Sequence, residues 1–591
     1  MTTLADEDAP QRPGGEPLAA AAEAPPADAE GAEAADGMPV LSAVLDARFA
    51  LGLPHVAATA FFVLLFSLLN WLPLKPADLW GHVAYGRWIA AHRALPAEDP
   101  FVPLFAGMRV VHTAWLSQLL LAGAEKLNGP EALSTLFAVV SIATYVLLAR
   151  TYYLQTRRLG LAVLGVAGVI AIGLSRAITI RPEVFGSLCF AGLLWLVTSA
   201  GGGTAHGTSP PPSAAVRRRL WLGVPLLMAL WANLHGSFLC GIAFLGCCFL
   251  GQAIEACWRG GLAAAFRDAA VRRWLWIVEL GAAATLFNPH GLDLWIEALR
   301  FGGNPNLRDV LEWLPLQFLG LGGREFAASW VVLTVLLRFS RQRMPVSHVL
   351  LLAVFGLATA ARVRMLGWYA PIFVWVALPH AAELLARIWP VRDPAEELPA
   401  PQIDEDGNEE AALPAPGRSW RYSLVCLVLV WMGFAFSPSS QPVLGGKGRA
   451  AAQVFGEETP LGLSDYLRAN PPAGQIFNPQ RFGDWLAWAG PPGLRPMMVT
   501  NMHLAPRQVW ADYLRIFNAQ PGWQAVLTRY DIETLVVDRR DQVLLEPVLR
   551  RDPLSFRLAY EDEMSAVFVR IPPKIESERA AAGPLAAAPP R

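Results

Sequence analysis

Ala77-Asp78-Leu79-Trp80-Gly81-His82-Val83-Ala84-Tyr85-Gly86-Arg87-Trp88-Ile89 follows directly on the chain's first long apolar run. The stretch continues through Pro96-Ala97-Glu98-Asp99-Pro100-Phe101 and ends at His112-Thr113-Ala114-Trp115. It sets acidic and basic side chains where a membrane helix has just surfaced. Asp78, His82 and Arg87 are spaced as near neighbours on a helix, with Leu79, Val83 and Ile89 supplying an apolar side. The pattern predicts an amphipathic helix lying on the membrane and carrying a carboxylate to the mouth of a cavity. The plainer reading is an interfacial anchor, with Trp80, Tyr85 and Trp88 at headgroup level. The rest of the chain shifts the balance toward the first.

Hydrophobic residues make up 54% of the 591 positions and charged residues only 16%, where a soluble chain carries about a quarter. The 22 Trp and 28 Phe suit helices edged by aromatic belts. A formal net charge of −1 excludes a nucleic-acid partner, because phosphate binding needs a basic excess. The six Cys, at 189, 240, 247, 248, 257 and 426, lie in or beside apolar runs with no metal-ligand spacing. They read as small buried hydrophobes.

Apolar runs at 54–74, 131–149, 160–175, 183–199, 220–233, 236–255, 274–288, 327–340, 346–360, 366–388 and 420–437 are counted as spans. That gives about eleven transmembrane helices, several shorter than the ~20 residues a bilayer core asks for. The run 116–124 is shorter still and reads as a juxtamembrane helix. With the N-terminus inside, this count puts Arg150, Arg157, Arg158, Arg217–Arg219, Arg259, Arg267, Arg272, Arg273, Arg338, Arg341, Arg343, Arg387 and Arg392 in the cytoplasm, as the positive-inside rule asks. Residues 1–45 and 573–591 are low-complexity tails, and 390–417 is a cytoplasmic linker rich in Pro and acid. The membrane domain is expected over 50–437. A small α/β domain follows over 450–572, about 120 residues and long enough for its own core; an odd number of spans places it outside.

The same topology gathers the polar motifs on the external side. These are Asp78 to Trp115, Arg181-Pro182-Glu183, Trp231-Ala232-Asn233-Leu234-His235-Gly236, Asn288-Pro289-His290-Gly291, Glu312-Trp313, and Arg362-Val363-Arg364. Taken singly, Asn288-Pro289 and Gly236 are turn formers and Arg181 can pair with Glu183. Six such motifs on one face read as a shared cavity, because ionisable groups at the membrane are costly and mark sites. In the C-terminal part, 475–478, 497–500, 534–538 and 566–569 read as strands, and 509–517 and 523–530 as helices.

Asp78-Leu79-Trp80-x-His82, Gly86-x-Trp88-Ile89 and Pro96-x-x-Asp99-Pro100-Phe101 resemble the first external loop of bacterial GT-C-type membrane glycosyltransferases. This RgtA/B/C/D-like group is related to the aminoarabinose and mannosyl transferases. His112-x-x-Trp115-Leu116, Arg181-Pro182-Glu183, the Asn233/His235 motif and Asn288-Pro289-His290-Gly291 follow in the group's order. Phe477-Asn478, Gly483-Asp484-Trp485-Leu486, Asp512-Tyr513 and Tyr560-Glu561-Asp562-Glu563 resemble its external domain, so the likeness covers 50–572.

The resemblance implies a helical polytopic fold in the bacterial inner membrane and an acidic residue on the first external loop. It also implies a polyprenyl-phosphate sugar as donor and an envelope glycan, lipid or protein as acceptor. Asp78 matches the acidic position. An Asp-x-Asp pair is common there, but residue 76 is Pro, so a divalent metal lacks its paired carboxylates. Asp78 is the candidate base, with Glu183 as a second catalytic carboxylate. Arg181, Arg362 and Arg364 are candidates for phosphate, which guanidinium holds bidentately. His82, His112, Asn233, His235, Asn288, His290 and Glu312 complete the substrate-binding set. The rival reading is a transporter or non-catalytic protein of envelope polysaccharide assembly. A transporter more naturally shows internal repeats, and none is visible in the sequence.

Overall fold

The computed structural model describes residues 49–174, 178–201, 214–320, 322–389 and 417–571. The tails expected at 1–45 and 573–591, and the linker at 390–417 apart from residue 417, lie outside the described residues. The chain divides into two units, residues 51–393 with 419–591 and residues 1–50 with 394–418. The bundle and the C-terminal module both belong to the larger unit.

Each expected apolar run falls on a helix. In order these are α1 (Leu53–Trp71), then, after the short helix α2 (Leu79–His92), α3 (Trp115–Thr156), α4 (Leu159–Ile172), α5 (Glu183–Ser199), α6 (Ala214–Leu234), α7 (Phe238–Arg267) and α8 (Ala269–Ala284). A short helix α9 (Leu292–Phe301) precedes α10 (Gly323–Phe339), α11 (Val346–Ala361), α12 (Leu366–Ile388) and α13 (Trp420–Ala435). Among the described residues, four helices are long and apolar enough to cross a membrane: α1, α3, α7 and the segment Val363–Ile388. A fifth is added if α13 and the turn after it, bent by 83°, count as one span. Helices α4, α5 and α11 are apolar but shorter. The 116–124 run forms the first part of α3, which breaks at Asn128 and Gly129 (φ 62°) before Pro130 starts the longer part. Glycine alone accepts that left-handed backbone without a Cβ penalty.

The C-terminal module is α/β. Its five-stranded sheet runs in the order β2 (Arg495–Pro496), β1 (Gln475–Phe477), β3 (Ile532–Asp538), β5 (Ser565–Arg570), β4 (Phe556–Glu561). β1 is parallel to β2 and β3, and β5 is antiparallel to β3 and β4. Helices α14 (Gln480–Ala489), α15 (Arg507–Phe517), α16 (Trp523–Arg529) and α17 (Leu545–Arg551) connect them. The strand expected over 497–500 is not one. Asn478 Oδ1 accepts from Met497 N at 2.9 Å and its Nδ2 donates to Met498 O at 2.8 Å. A buried side chain thus takes the groups a strand would use, and β2 stops at Pro496.

Helix α2 departs most from expectation. Leu79, Trp80, Gly81, Val83, Ala84, Tyr85, Gly86 and Ile89 are all buried, so no broad apolar face is left for lipid. The first part of α3 covers one flank and α14 of the module another. Trp80 is fully buried and meets Trp485 edge-on at 5.1 Å, with Trp488 at 4.3 Å and Phe455 at 5.5 Å. It is a core residue between bundle and module, not a headgroup anchor. Two glycines make the fit possible. A Cβ on Gly86 would overlap the Gln118 backbone carbonyl, and one on Gly81 the Asp484 carboxyl.

That Asp484 carboxyl is 3% exposed and accepts from both the backbone N–H and the hydroxyl of Thr500. Burial pushes its pKa up from the ordinary 3.8 to about 8; the Thr500 bonds oppose the shift and the nearby Asp78 and Asp99 charges add to it. Between those two values the folded chain keeps a proton that the unfolded chain has released, so stability falls as pH rises through the window. Asp484→Asn removes this slope. The variant is expected to melt higher than wild type at pH 8 and less differently at pH 4.5, read by thermal unfolding in detergent; parallel wild-type and variant curves would refute the assignment. Gly86→Ala is expected to cost about 1–3 kcal/mol by forcing α2 from α3, measured the same way.

Candidate active site

Asp78 occupies the N-cap position of α2, yet its side chain makes no capping bond to the helix. It turns instead to Arg181, whose Nε stands 3.1 Å from Asp78 Oδ1. Arg181 Nη1 donates to Glu312 Oε2 at 2.7 Å. The other oxygen of Glu312 meets Arg364 Nη1 at 3.4 Å, and Arg364 Nη2 lies 3.8 Å from Glu183 Oε2. Five predicted residues from four separate segments therefore form one chain: Asp78, Arg181, Glu312, Arg364, Glu183. Their side chains are between 12% and 25% exposed, so they neutralise one another more than water does. Asp78 first, and then Glu312, hold the Arg181 pKa above its ordinary value.

His82 follows Asp78 by one helical turn. Gln118 Nε2 donates to its Nδ1 at 3.1 Å. Burial lowers the His82 pKa, against the opposing charge of Asp78, so the ring is neutral at pH 7. Trp313 lies beside the cluster, with the Arg364 guanidinium 4.3 Å and the Arg362 guanidinium 5.1 Å from its ring centre. Both arginines flank one indole, but they face different partners. Arg362 donates to the Gly302 carbonyl at 2.5 Å and makes no ion pair among the described contacts.

Two members of the cluster, Arg181 and Glu183, line a cleft. Its walls come from α3, α4, α5 and α12, with Phe137, Leu148, Val169, Phe190 and Trp368 among them. Two of the hydroxyls there bond along their own helices. Thr144 Oγ1 donates to Val140 O at 2.8 Å and Ser187 Oγ to Glu183 O at 3.2 Å. Back-bonding of this kind hides polarity along the helix, and the lining is mostly apolar with Arg181 and Glu183 as its charged members.

The remaining predicted residues hold the scaffold around the site. Asn233 Oδ1 accepts from Trp115 Nε1 at 2.9 Å, while its Nδ2 donates to Ala229 O and Phe287 O. His235 Nδ1 pairs with Ser237 Oγ at 2.7 Å. Asn288 closes its own turn by accepting from His290 N at 2.7 Å. His290 Nε2 accepts from His112 N at 3.1 Å, and His112 Nε2 donates to Pro96 O at 2.8 Å. Burial takes the His112 pKa down to about 4 and lowers that of His290. Sequence reasoning missed Gln118 beside His82. It also missed the buried pair in which Tyr85 OH donates to Asp99 Oδ2 at 2.6 Å, although both residues stand in the quoted stretch.

Among the described residues no three His, Cys, Asp or Glu side chains converge on a metal-sized space. Arg181 stands between Asp78 and Glu312, and Arg364 between Glu312 and Glu183. Carboxylates already separated by guanidiniums do not make the oxygen cage a divalent ion requires.

No protein-family model and no curated protein matches the chain. Solved structures do. One is the Archaeoglobus fulgidus oligosaccharyltransferase in its apo form, 11% identical, covering 88% of this chain and 74% of that one at a TM-score of 0.48. A second is the archaeal oligosaccharyltransferase AglB from Archaeoglobus fulgidus in complex with an inhibitory peptide and a dolichol-phosphate. It is 13% identical, covering 82% and 69%, with a TM-score of 0.46. A third is the Archaeoglobus fulgidus oligosaccharyltransferase complex with Zn and sulfate, 12% identical, covering 87% and 73%, with a TM-score of 0.44.

Proposed function

We propose that the chain is an integral-membrane glycosyltransferase of the GT-C type. It moves a sugar from a polyprenyl-phosphate donor to an envelope glycan, lipid or protein acceptor on the external face of a bacterial inner membrane. One observation carries the reading: a charged cluster of three carboxylates and two guanidiniums contributes Arg181 and Glu183 to the lining of an otherwise mostly apolar cleft. A long isoprenoid tail suits the cleft, and its phosphate and sugar then lie at the cluster.

In this reading the acceptor hydroxyl attacks the anomeric carbon of the donor sugar. The bond from that carbon to the phosphate oxygen breaks, polyprenyl phosphate leaves, and the hydroxyl proton passes to Asp78. His82, neutral and one turn along, orients the acceptor or the sugar. Arg364 is the better phosphate ligand, because its contacts at 3.4 and 3.8 Å are looser than those of Arg181. A phosphate displaces weakly held carboxylates more easily than well-bonded ones. Arg362, bonded to Gly302, serves the loop in place of the phosphate.

Membranes supplied with radiolabelled polyprenyl-phosphate sugars test the reading. Transfer is expected, and Asp78→Asn at normal protein level is expected to slow it by roughly 10²–10⁴-fold. Glycolipid crossing the membrane without sugar transfer would refute the enzyme. Arg364→Lys keeps the charge and loses the planar fork, so donor binding is expected to weaken by about 1.5–3 kcal/mol; unchanged donor affinity removes Arg364 from the phosphate.

A further inference from the structure

Glu312 is carried by an external loop between α9 and α10, and that loop has two moorings. On one side Leu316 N donates to Ala360 O at 3.0 Å and Val363 N to Leu314 O at 3.1 Å, tying residues 314–316 to the turn between α11 and α12. On the other side the loop is fastened to the C-terminal module. Asn306, 4% exposed, gives both amide hydrogens to module carbonyls, Met502 O at 2.8 Å and Ala505 O at 3.1 Å. Asn304 Nδ2 donates to His503 O at 2.9 Å, and Trp510 Nε1 donates to Asp309 Oδ2 at 2.9 Å. Glu312 is only three positions on from Asp309, a reach of roughly 11 Å at most. The moorings therefore restrict where Glu312 can stand.

The same short module segment also grips α2. Thr500 bonds Asp484, which lies against Gly81, and Asn501 Nδ2 donates to Tyr85 OH at 3.2 Å. Residues 500–505 thus touch both elements whose carboxylates share Arg181: α2, which begins at Asp78, and the loop bearing Glu312.

We infer that Asn306 is a positioning residue, and that by hooking the Glu312 loop to the module it sets how Arg181 is divided between Glu312 and Asp78. The inference rests on the proposed transferase reading. With the hook in place, Glu312 takes one arm of the guanidinium and Asp78 meets it only through Nε. With the loop released, Arg181 collapses onto Asp78, and the carboxylate that should accept the proton is held in a closed ion pair. The defect falls on turnover, because donor binding depends on the cleft and on Arg364.

The test uses full-length protein in proteoliposomes, comparing wild type, Asn306→Ala, Glu312→Gln and the double variant. Hydrogen exchange over residues 302–313 is expected to quicken about tenfold in Asn306→Ala, with the sheet of the module unchanged. The kcat is expected to fall on the order of tenfold to a hundredfold while the donor KM stays within twofold. In the Glu312→Gln background Asn306→Ala is expected to add no further loss, since both act through one group. Unchanged exchange in the loop overturns the hook. Losses that multiply in the double variant, or a rise in donor KM matching the fall in kcat, overturn the positioning role in favour of a merely structural one. If Asn306→Ala does not accumulate, Asn306→Gln, with its amide displaced by one methylene, runs through the same cycle. Wild-type protein that transfers sugar from no lipid-linked donor overturns the catalytic half along with the transferase reading, and exchange still decides the hook.

Discussion

Arg181 is the pin of the structure. Its guanidinium joins the start of α2 to the loop at Glu312, and it projects from the short connection before α5 into the lining of the cleft. A cation removed from water is costly unless its partners replace the lost hydration. Here two carboxylates do so, and a third closes the chain through Arg364. Removing one member leaves a charge without its counterpart at a place that is only a quarter exposed. Charges arranged in this way hold a shape and remain open to exchange, since an incoming anion that replaces one carboxylate meets a guanidinium already drawn out of water.

Around this pin the bundle and the module act as two jaws. α2 is closed in by the tryptophan cluster of Trp80, Trp485 and Trp488 on the module side and by α3 on the bundle side. The two contacts require glycine at 81, where the Asp484 carboxyl closes on α2, and at 86, where the Gln118 backbone does. The helix so held has no freedom to roll, and the direction in which Asp78 leaves it is fixed by packing some distance from the charge itself.

The apolar runs were legible in sequence because a bilayer-sized hydrophobic stretch has few other meanings. Each run lies on a helix, and Asp78, Arg181, Glu183, Glu312 and Arg364 do meet. What the sequence withheld was partnership. Arg181 and Glu312 are 131 positions apart, and no local pattern says which cation faces which carboxylate. For the same reason no pattern separates Asn233, His235, Asn288 and His290 from the five that meet; they share the chemistry, and the structure shows them bonded to turns and helix contacts nearby. The amphipathic reading of α2 failed because what covers it comes from the far end of the chain: Asn501 and Tyr85 are 416 residues apart. Asn306 offered no signal at all, since a buried amide in a loop reads like any other turn former.

That separation has a consequence for how the molecule comes into being. A ribosome delivers α1 through α12 before the first strand of the module exists. During that interval Gly81 faces no carboxyl, Tyr85 lacks Asn501, and the amide of Asn306 has no carbonyl to meet. The bundle is complete in sequence while α2 still lacks its module partners and the loop bearing Glu312 lacks one of its two moorings. Completion waits for the last quarter of the chain, and a product cut short before it leaves both elements held on one side only.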